Sequence, residues 1–218
     1  MISLILLAAG EGRRFGRKKQ FERLFGKPIY MLSLERLHKL FDETLLVLPE
    51  EDLQKTPVPE GVKKVAGGKE RQDSVFNALI EAKGQVVVLH DCARPFASLE
   101  LFKKVCELGE FHGKICAIPI RDTVKRVADS MVVQTIDRRG LWLSQTPQAF
   151  TKKVLLECHF KARNEGFFAT DDAMVLERYG YKVGVVMGEP TNIKITYPED
   201  MLLAEAIGLL LSYAKTPV

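Results

Sequence analysis

The chain has 218 residues, 46% of them hydrophobic and 28% charged, and a net charge of +4. That is the composition of a folded globular protein, and the small basic excess excludes a nucleic-acid partner held by bulk charge. No apolar stretch reaches membrane-spanning length, so no membrane partner is expected. The four cysteines (Cys92, Cys106, Cys116, Cys158) lack C-x-x-C spacing and disulfide-framework density. With no export signal, they read as free thiols in a reducing, cytoplasmic compartment.

The apolar run Ile2–Leu7 predicts a first strand. Pro28 opens a helix reaching about Leu40, with Ile29, Leu32, Leu34, Leu37 and Leu40 apolar. Strands follow at Thr44–Leu48 and Val62–Ala66, then a helix at Ser74–Ala82. Gln85–His90 is a continuous apolar strand, as expected when helices cover both faces. Leu99–Leu108 reads as a helix and Lys114–Ile120 as another buried strand. Thr123–Val127 and Met131–Ile136 flank the polar turn Ala128-Asp129-Ser130 and predict a hairpin. A lone hairpin is marginal in water, so it should pack on something outside the main sheet, with a second subunit a good candidate. Helices near 151–165 and 171–179, a strand at 181–187, the segment Asn192–Thr196 and a helix from Pro198 to about Leu211 complete the chain. The rhythm predicts an α/β fold: one Rossmann-like domain over 1–218, a mostly parallel sheet flanked by helices, and a hairpin excursion.

The most informative stretch is the loop after strand one, which carries Gly10, Gly12 and Gly16 and five cations, Arg13, Arg14, Arg17, Lys18 and Lys19. Glycines admit close backbone approach, and clustered cations demand an anionic ligand, most simply a nucleoside triphosphate. The glycine spacing is one residue too long for G-x-G-x-x-G, and no Walker A string occurs. The bland alternative is a solvated loop. Asp91, directly after the 85–90 strand, stands where a carboxylate can meet Mg²⁺ carried by phosphates, or simply cap a turn. His90 reads as a packed, hydrogen-bonded histidine, and His38, His112 and His159 as surface residues. Gly67-Gly68 with Ser74 reads as a base or ribose contact, or as a turn and cap. Lys194, in an apolar alternation, faces either a site or solvent.

In joint order and spacing, several strings carry more than any one alone. They are Ala8-Ala9-Gly10-x-Gly12-x-Arg14, Lys19-Gln20, Gly67-Gly68-x-x-Arg71-x-x-Ser74, His90-Asp91-x-Ala93-Arg94-Pro95, Arg121-Asp122-Thr123-x-Lys125, Asp137-Arg138-x-Gly140-Leu141-Trp142, Thr146-Pro147-Gln148, Thr170-Asp171-Asp172 and Asn192-Ile193-Lys194-x-Thr196. With them the chain, from Leu4 to about Leu210, resembles the 2-C-methyl-D-erythritol 4-phosphate cytidylyltransferase family of non-mevalonate isoprenoid biosynthesis. The resemblance implies a nucleotidyltransferase of glycosyltransferase-A-like architecture that uses CTP and a divalent cation, Mg²⁺. It implies Arg14, Lys19, Arg138 and Lys194 as catalytic residues and Asp91 as the metal ligand. Ala8, Ala9, Gly10, Gly68, Lys69, Ser74 and Cys92 would bind nucleotide, and Arg94, Thr123, Thr146, Thr170 and Thr196 the polyol phosphate. It further implies a homodimer whose hairpin arm, about 121–140, crosses to the neighbour and completes its site. Two positions depart from the family pattern: Lys18 stands where a proline is usual before the catalytic lysine, and Cys92 where alanine usually follows the metal aspartate. The ribitol 5-phosphate or other polyol-phosphate cytidylyltransferases share most of these strings, and a non-catalytic nucleotide-binding protein is the alternative of a different class.

Overall fold

The central strands are apolar on both faces, and that fixes the layers. In the computed structural model, which describes residues 1–213, the strands are β1 (Ile2–Leu7), the short β2 (Arg23–Leu24) and β3 (Lys27–Pro28), β4 (Glu43–Leu48), β5 (Val62–Ala66), β6 (Val86–Asp91), β7 (Gly113–Pro119), β8 (Val124–Ala128), β9 (Met131–Ile136), β10 (Trp142–Thr151) and β11 (Val183–Met187). The helices are α1 (Ile29–Leu37), α2 (Arg71–Glu81), α3 (Leu99–Cys106), α4 (Lys152–Asn164), α5 (Asp172–Arg178) and α6 (Asp200–Tyr213). Seven strands form one sheet in the order β11-β7-β10-β6-β1-β4-β5, mostly parallel.

Period-two alternation sorts the side chains. Ile5, Leu45, Val47, Val87 and Leu89 pack with Val75 and Leu79 of α2, Leu155 of α4 and Leu176 of α5 on one face. Leu4 and Val88 meet α3, and Leu6, Leu46 and Leu48 meet α1, on the other. Each such side chain removed from water contributes about 1.5–3 kcal/mol. The predicted strands and helices lie at or within a few residues of these elements. The helix predicted from Ser74 begins earlier, at Arg71, because Glu70 and Asp73 form a reciprocal capping box. That brings Arg71 into the first turn.

β10 has no counterpart among the strands predicted from sequence. It is antiparallel to both β6 and β7 and lies in the middle of the sheet. Ser144, Gln145, Thr146 and Gln148 break its apolar pattern, and Pro147 argues against a central strand. The register shifts between Gln145 and Gln148, and this bulge accommodates the proline. Asn192–Thr196 forms no strand. It runs alongside residue 93, tied by the Ile195 amide donating to the Ala93 carbonyl at 2.9 Å. β8 and β9 pair as predicted, with Asp129 and Ser130 at positive φ in a two-residue turn. They form a separate ribbon, not hydrogen-bonded into the main sheet. One histidine expectation fails: His159 is fully buried, because Asp172 hydrogen-bonds its Nε2 inside the α4–α5 layer.

Candidate active site

Parallel strands deliver their loops to one edge of the sheet, and there the predicted motifs converge. The Ala8 amide donates to the Val47 carbonyl, the Gly67 amide to Leu48 and the Cys92 amide to Leu7. These bonds set the loops after β1, β5 and β6 side by side. Between them lies an open cleft of about 370 Å³, whose lining includes Ala8, Ala9, Gly10, Arg13, Arg14, Lys19, Gly68, Lys69, Arg71, Ser74, Asp91, Cys92 and Lys194.

Two glycines make the loops fit. A Cβ on Gly67 would lie 2.4 Å from the Ala9 Cβ, so the first and second loops touch only because that side chain is missing. Gly12 has φ +67°, and a Cβ there would lie 1.8 Å from the Arg17 carbonyl oxygen. The chain therefore turns back sharply beneath its own cations. Phe15 is buried against Ile195 and Ile207 and pins the middle of the loop. Ser74 Oγ accepts from the Gly68 amide at 3.0 Å, so this hydroxyl shapes the second loop from within.

The cations of the first loop divide their work. Arg13, Arg14 and Lys19 line the cleft. Arg17 forms a two-point pair with Glu22, at 2.5 and 2.8 Å. The Lys18 ammonium donates to Glu51 and, at 2.5 Å, to Asp52. Burial, reinforced by the Lys194 and Arg14 charges, pushes the Lys19 ammonium below the ordinary lysine range.

Asp91, 7% exposed at the end of β6, lines the same cleft. Its Oδ2 accepts from Lys194 at 2.5 Å, and the Arg71 Nε lies 3.6 Å from Oδ1. Burial opposes its charge, but Lys194, Arg71 and Arg94 outweigh that and hold the carboxyl well below the usual range. Arg71 also donates to Asp172 at 2.6 Å, and Asp172 meets His159 at 3.0 Å. The relay Asp91–Arg71–Asp172–His159 therefore runs from the cleft into the core. Arg71 and Asp172 lie within sequence motifs that assign neither a role, because their pairing joins residues 101 positions apart. Burial pushes the Cys92 thiol up to about 12, so it presents a neutral group to the cleft.

The other predicted site residues lie off this lining. Thr146 is buried; its Oγ1 accepts from the Asp91 amide at 3.0 Å and contacts His90 Nδ1 at 3.1 Å. Its hydroxyl thus holds the strand that carries Asp91. His90 is packed and bonded as expected, and burial pushes its pKa down to about 4. Arg94 donates to the Asn192 carbonyl at 2.7 Å and the Ser144 carbonyl at 3.4 Å, fastening the segment that carries Lys194. Thr196 Oγ1 donates to the Lys194 carbonyl at 2.9 Å. Thr123, Arg138 and Thr170 are exposed and distant in the chain from the cleft loops: Arg138 donates to the Arg121 carbonyl beside the hairpin, and the Thr170 hydroxyl lies 3.6 Å from Met174 Sδ.

Known proteins of one family resemble this chain in sequence and fold. The protein from Aquifex aeolicus named 2-C-methyl-D-erythritol 4-phosphate cytidylyltransferase is 55% identical over 207 residues, covering 95% of this chain and 97% of that one. The Bacillus mycoides protein of the same name is 42% identical, covering 94% and 97%. Among solved structures, that of the Thermus thermophilus 2-C-methyl-D-erythritol 4-phosphate cytidylyltransferase superposes with a TM-score of 0.81 at 32% identity, covering 94% of this chain and 98% of that one. The 4-diphosphocytidyl-2C-methyl-D-erythritol synthase from Anaerococcus prevotii gives 0.81 at 34%, covering 96% of each. The family model for 2-C-methyl-D-erythritol 4-phosphate cytidylyltransferase matches residues 2–209, and the chain belongs to that family.

Proposed function

We propose that the protein transfers the cytidylyl group of CTP to 2-C-methyl-D-erythritol 4-phosphate, giving 4-diphosphocytidyl-2-C-methyl-D-erythritol and pyrophosphate. The observation that carries this reading is one cleft lined by cations, among them Arg13, Arg14, Lys19 and Lys194, by the glycine-bearing segments Ala8–Gly10 and Gly68, and by the buried carboxylate of Asp91. Such a lining suits a triphosphate, held by the cations, together with a base and ribose read by backbone groups.

The reaction joins two anions. An oxygen of the acceptor's phosphate attacks the α-phosphorus of CTP, the bond from that phosphorus to the bridging oxygen breaks, and pyrophosphate leaves with the electron pair. Positioning and charge stabilisation do most of the work in such transfers. Arg14 and Lys19 hold the triphosphate and stabilise charge growing on the bridging and equatorial oxygens. The backbone at Ala8, Ala9, Gly10, Gly68 and Lys69, with Ser74 and Cys92, receives cytosine and ribose; backbone amides and carbonyls can both donate to and accept from the base edge. Lys194 steers the acceptor phosphate, with Arg94, Thr146 and Thr196 fixing the strand and segment around it.

Asp91 suits a Mg²⁺ that arrives with the nucleotide. No cluster of three metal-ligating side chains occurs among the described residues, and one carboxylate plus phosphate and water oxygens is a donor set that Mg²⁺ accepts. The ion, when bound, supplies neutralising charge to the phosphate oxygens. Asp91 would hold such an ion, and Lys194, which donates to Asp91 at 2.5 Å, stands beside that place, within reach of an acceptor phosphate.

A homodimer completes this reading. Val127, Met131, Val132 and Val133 of the hairpin are all more than half exposed, an apolar surface that a second copy would cover. Thr123, Arg138 and Thr170 then serve the acceptor across the interface. The protein works in the cytoplasm, consistent with its four free cysteines and with the lack, among the described residues, of a helix long and apolar enough to cross a membrane.

Pyrophosphate release from CTP and Mg²⁺ should be measured with 2-C-methyl-D-erythritol 4-phosphate, ribitol 5-phosphate and other polyol phosphates. Turnover with the first far above the rest is expected. Preference for ribitol 5-phosphate, or CTP binding without turnover of any acceptor, would overturn the assignment.

A further inference from the structure

The first loop contains a device that the reaction itself does not require. Gly12 and Gly16 are at positive φ, so the loop is costly to order. Its cleft-facing cations Arg13, Arg14 and Lys19 repel one another and Lys194, which favours an open loop when no anion is bound. Lys18 opposes that opening. Its ammonium reaches away from the cleft to Glu51 and Asp52, in the short turn that follows β4. The Lys18 and Asp52 side chains are 30% and 17% exposed, so solvent screens this pair less than an ordinary surface pair. Lys18 immediately precedes the turn Lys19–Phe21, and its carbonyl accepts from the Phe21 amide. Fixing Lys18 therefore fixes the backbone that projects Lys19.

We propose that Lys18 is a positioning residue, whose ion pair with Glu51 and Asp52 tethers the cation loop to the end of β4 and holds Lys19 over the triphosphate site. This rests on the reading of the cleft as that site. A distinctive consequence follows from the backbone. Lys18 has φ −66°, the angle a proline ring imposes. A proline there would restrain the same bond with no charge at all, so restraint and charge can be separated.

Four variants test this: Lys18→Met, Lys18→Pro, Asp52→Asn and the double variant of Lys18→Met with Asp52→Asn. Lys18→Met should lower kcat/KM for CTP by about five- to tenfold, in keeping with the sensitivity of such chemistry to small misplacements. Lys18→Pro should stay within about twofold of wild type, because it restores the restraint. Added salt should lower the wild-type value more steeply than that of Lys18→Pro, since it weakens the tether as well as substrate attraction. The double variant should be no worse than the worse single one. Trypsin cleavage after Arg13 and Arg14 in the ligand-free enzyme gives a readout independent of turnover; it should be faster in Lys18→Met and Asp52→Asn than in wild type. Wild-type cleavage and kinetics in Lys18→Met would overturn the proposal, as would additive losses in the double variant. Lys18→Pro as slow as Lys18→Met, with wild-type resistance to trypsin, would also overturn it by showing that the charge acts on phosphate directly. If wild type turns over no acceptor, the functional reading fails while the trypsin comparison still decides the tether.

Discussion

At the scale of single residues, the cleft works by keeping opposite charges close while leaving some of them incompletely paired. Asp91 receives Lys194 and Arg71, and its low pKa keeps it ionised throughout the neutral range. Among the described residues, Lys19 has no such strong partner. Burial and like charges lower its pKa, so the free enzyme loses this proton at a lower pH than an ordinary lysine does, about 10.4. In the proposed mechanism Lys19 acts as a cation, and the sign follows: kcat/KM for CTP should fall as pH rises, with the limb below that ordinary value. Bound triphosphate favours the charged form, so the corresponding limb of kcat should lie higher. Lys19→Arg should abolish the limb, because guanidinium stays protonated, and Lys19→Ala should cost on the order of 10²–10³ in kcat. Paired pH profiles of wild type and Lys19→Arg check this; an unchanged limb in the arginine variant would assign it to another group.

At the scale of elements, the site is an encounter of loops that strands deliver and glycines permit. Gly67→Ala places a methyl carbon 2.4 Å from the Ala9 Cβ and 3.3 Å from the Leu48 carbonyl. One loop must move, at a cost of about 1–3 kcal/mol for such overpacking. The variant should melt earlier and bind CTP more weakly, whereas Gly10→Ala, with nothing within 4 Å of the added carbon, should melt like wild type. Calorimetric melting and CTP titration of the two variants measure the difference. Elements of this kind were legible in sequence where one period dominated. β1, β4 and β6 are mainly apolar runs, and the loops after β1 and β5 carry the glycines and most of the cations that mark the site. β10 was not legible because its polar residues answer to tertiary partners: Gln145 bonds residue 189, and Thr146 bonds the Asp91 amide. The start of α2 was obscured for a similar reason, since a Glu–Asp capping box looks like ordinary surface charge. Arg71 and Asp172 lie within sequence motifs, but their pairing needs two helices brought together by the fold.

At the scale of the whole molecule, the proposed function needs more acceptor-binding residues than the cleft of one chain supplies. Lys194 is in place, while Arg138, Thr123 and Thr170 sit by the hairpin and before α5, outside the lining of the cleft. In the proposed homodimer, the exposed apolar hairpin would close that gap with a second copy. If the arm of each subunit completes the other's site, Lys19 and Arg138 of one active centre come from different chains. Lys19→Ala and Arg138→Ala homodimers are then both inactive, each for its own reason. A mixed dimer places both substitutions in one site and leaves the other intact. Equal mixing makes half of the dimers mixed, each with one working site of two, so about a quarter of wild-type activity should return under two-fold symmetry. Co-expression of the two variants with different affinity tags, isolation of the doubly tagged species and a pyrophosphate-release assay measure this. The doubly tagged species should reach about half of wild-type turnover per dimer. If Arg138 instead serves its own chain's cleft, mixing leaves each site with one defect and no activity returns.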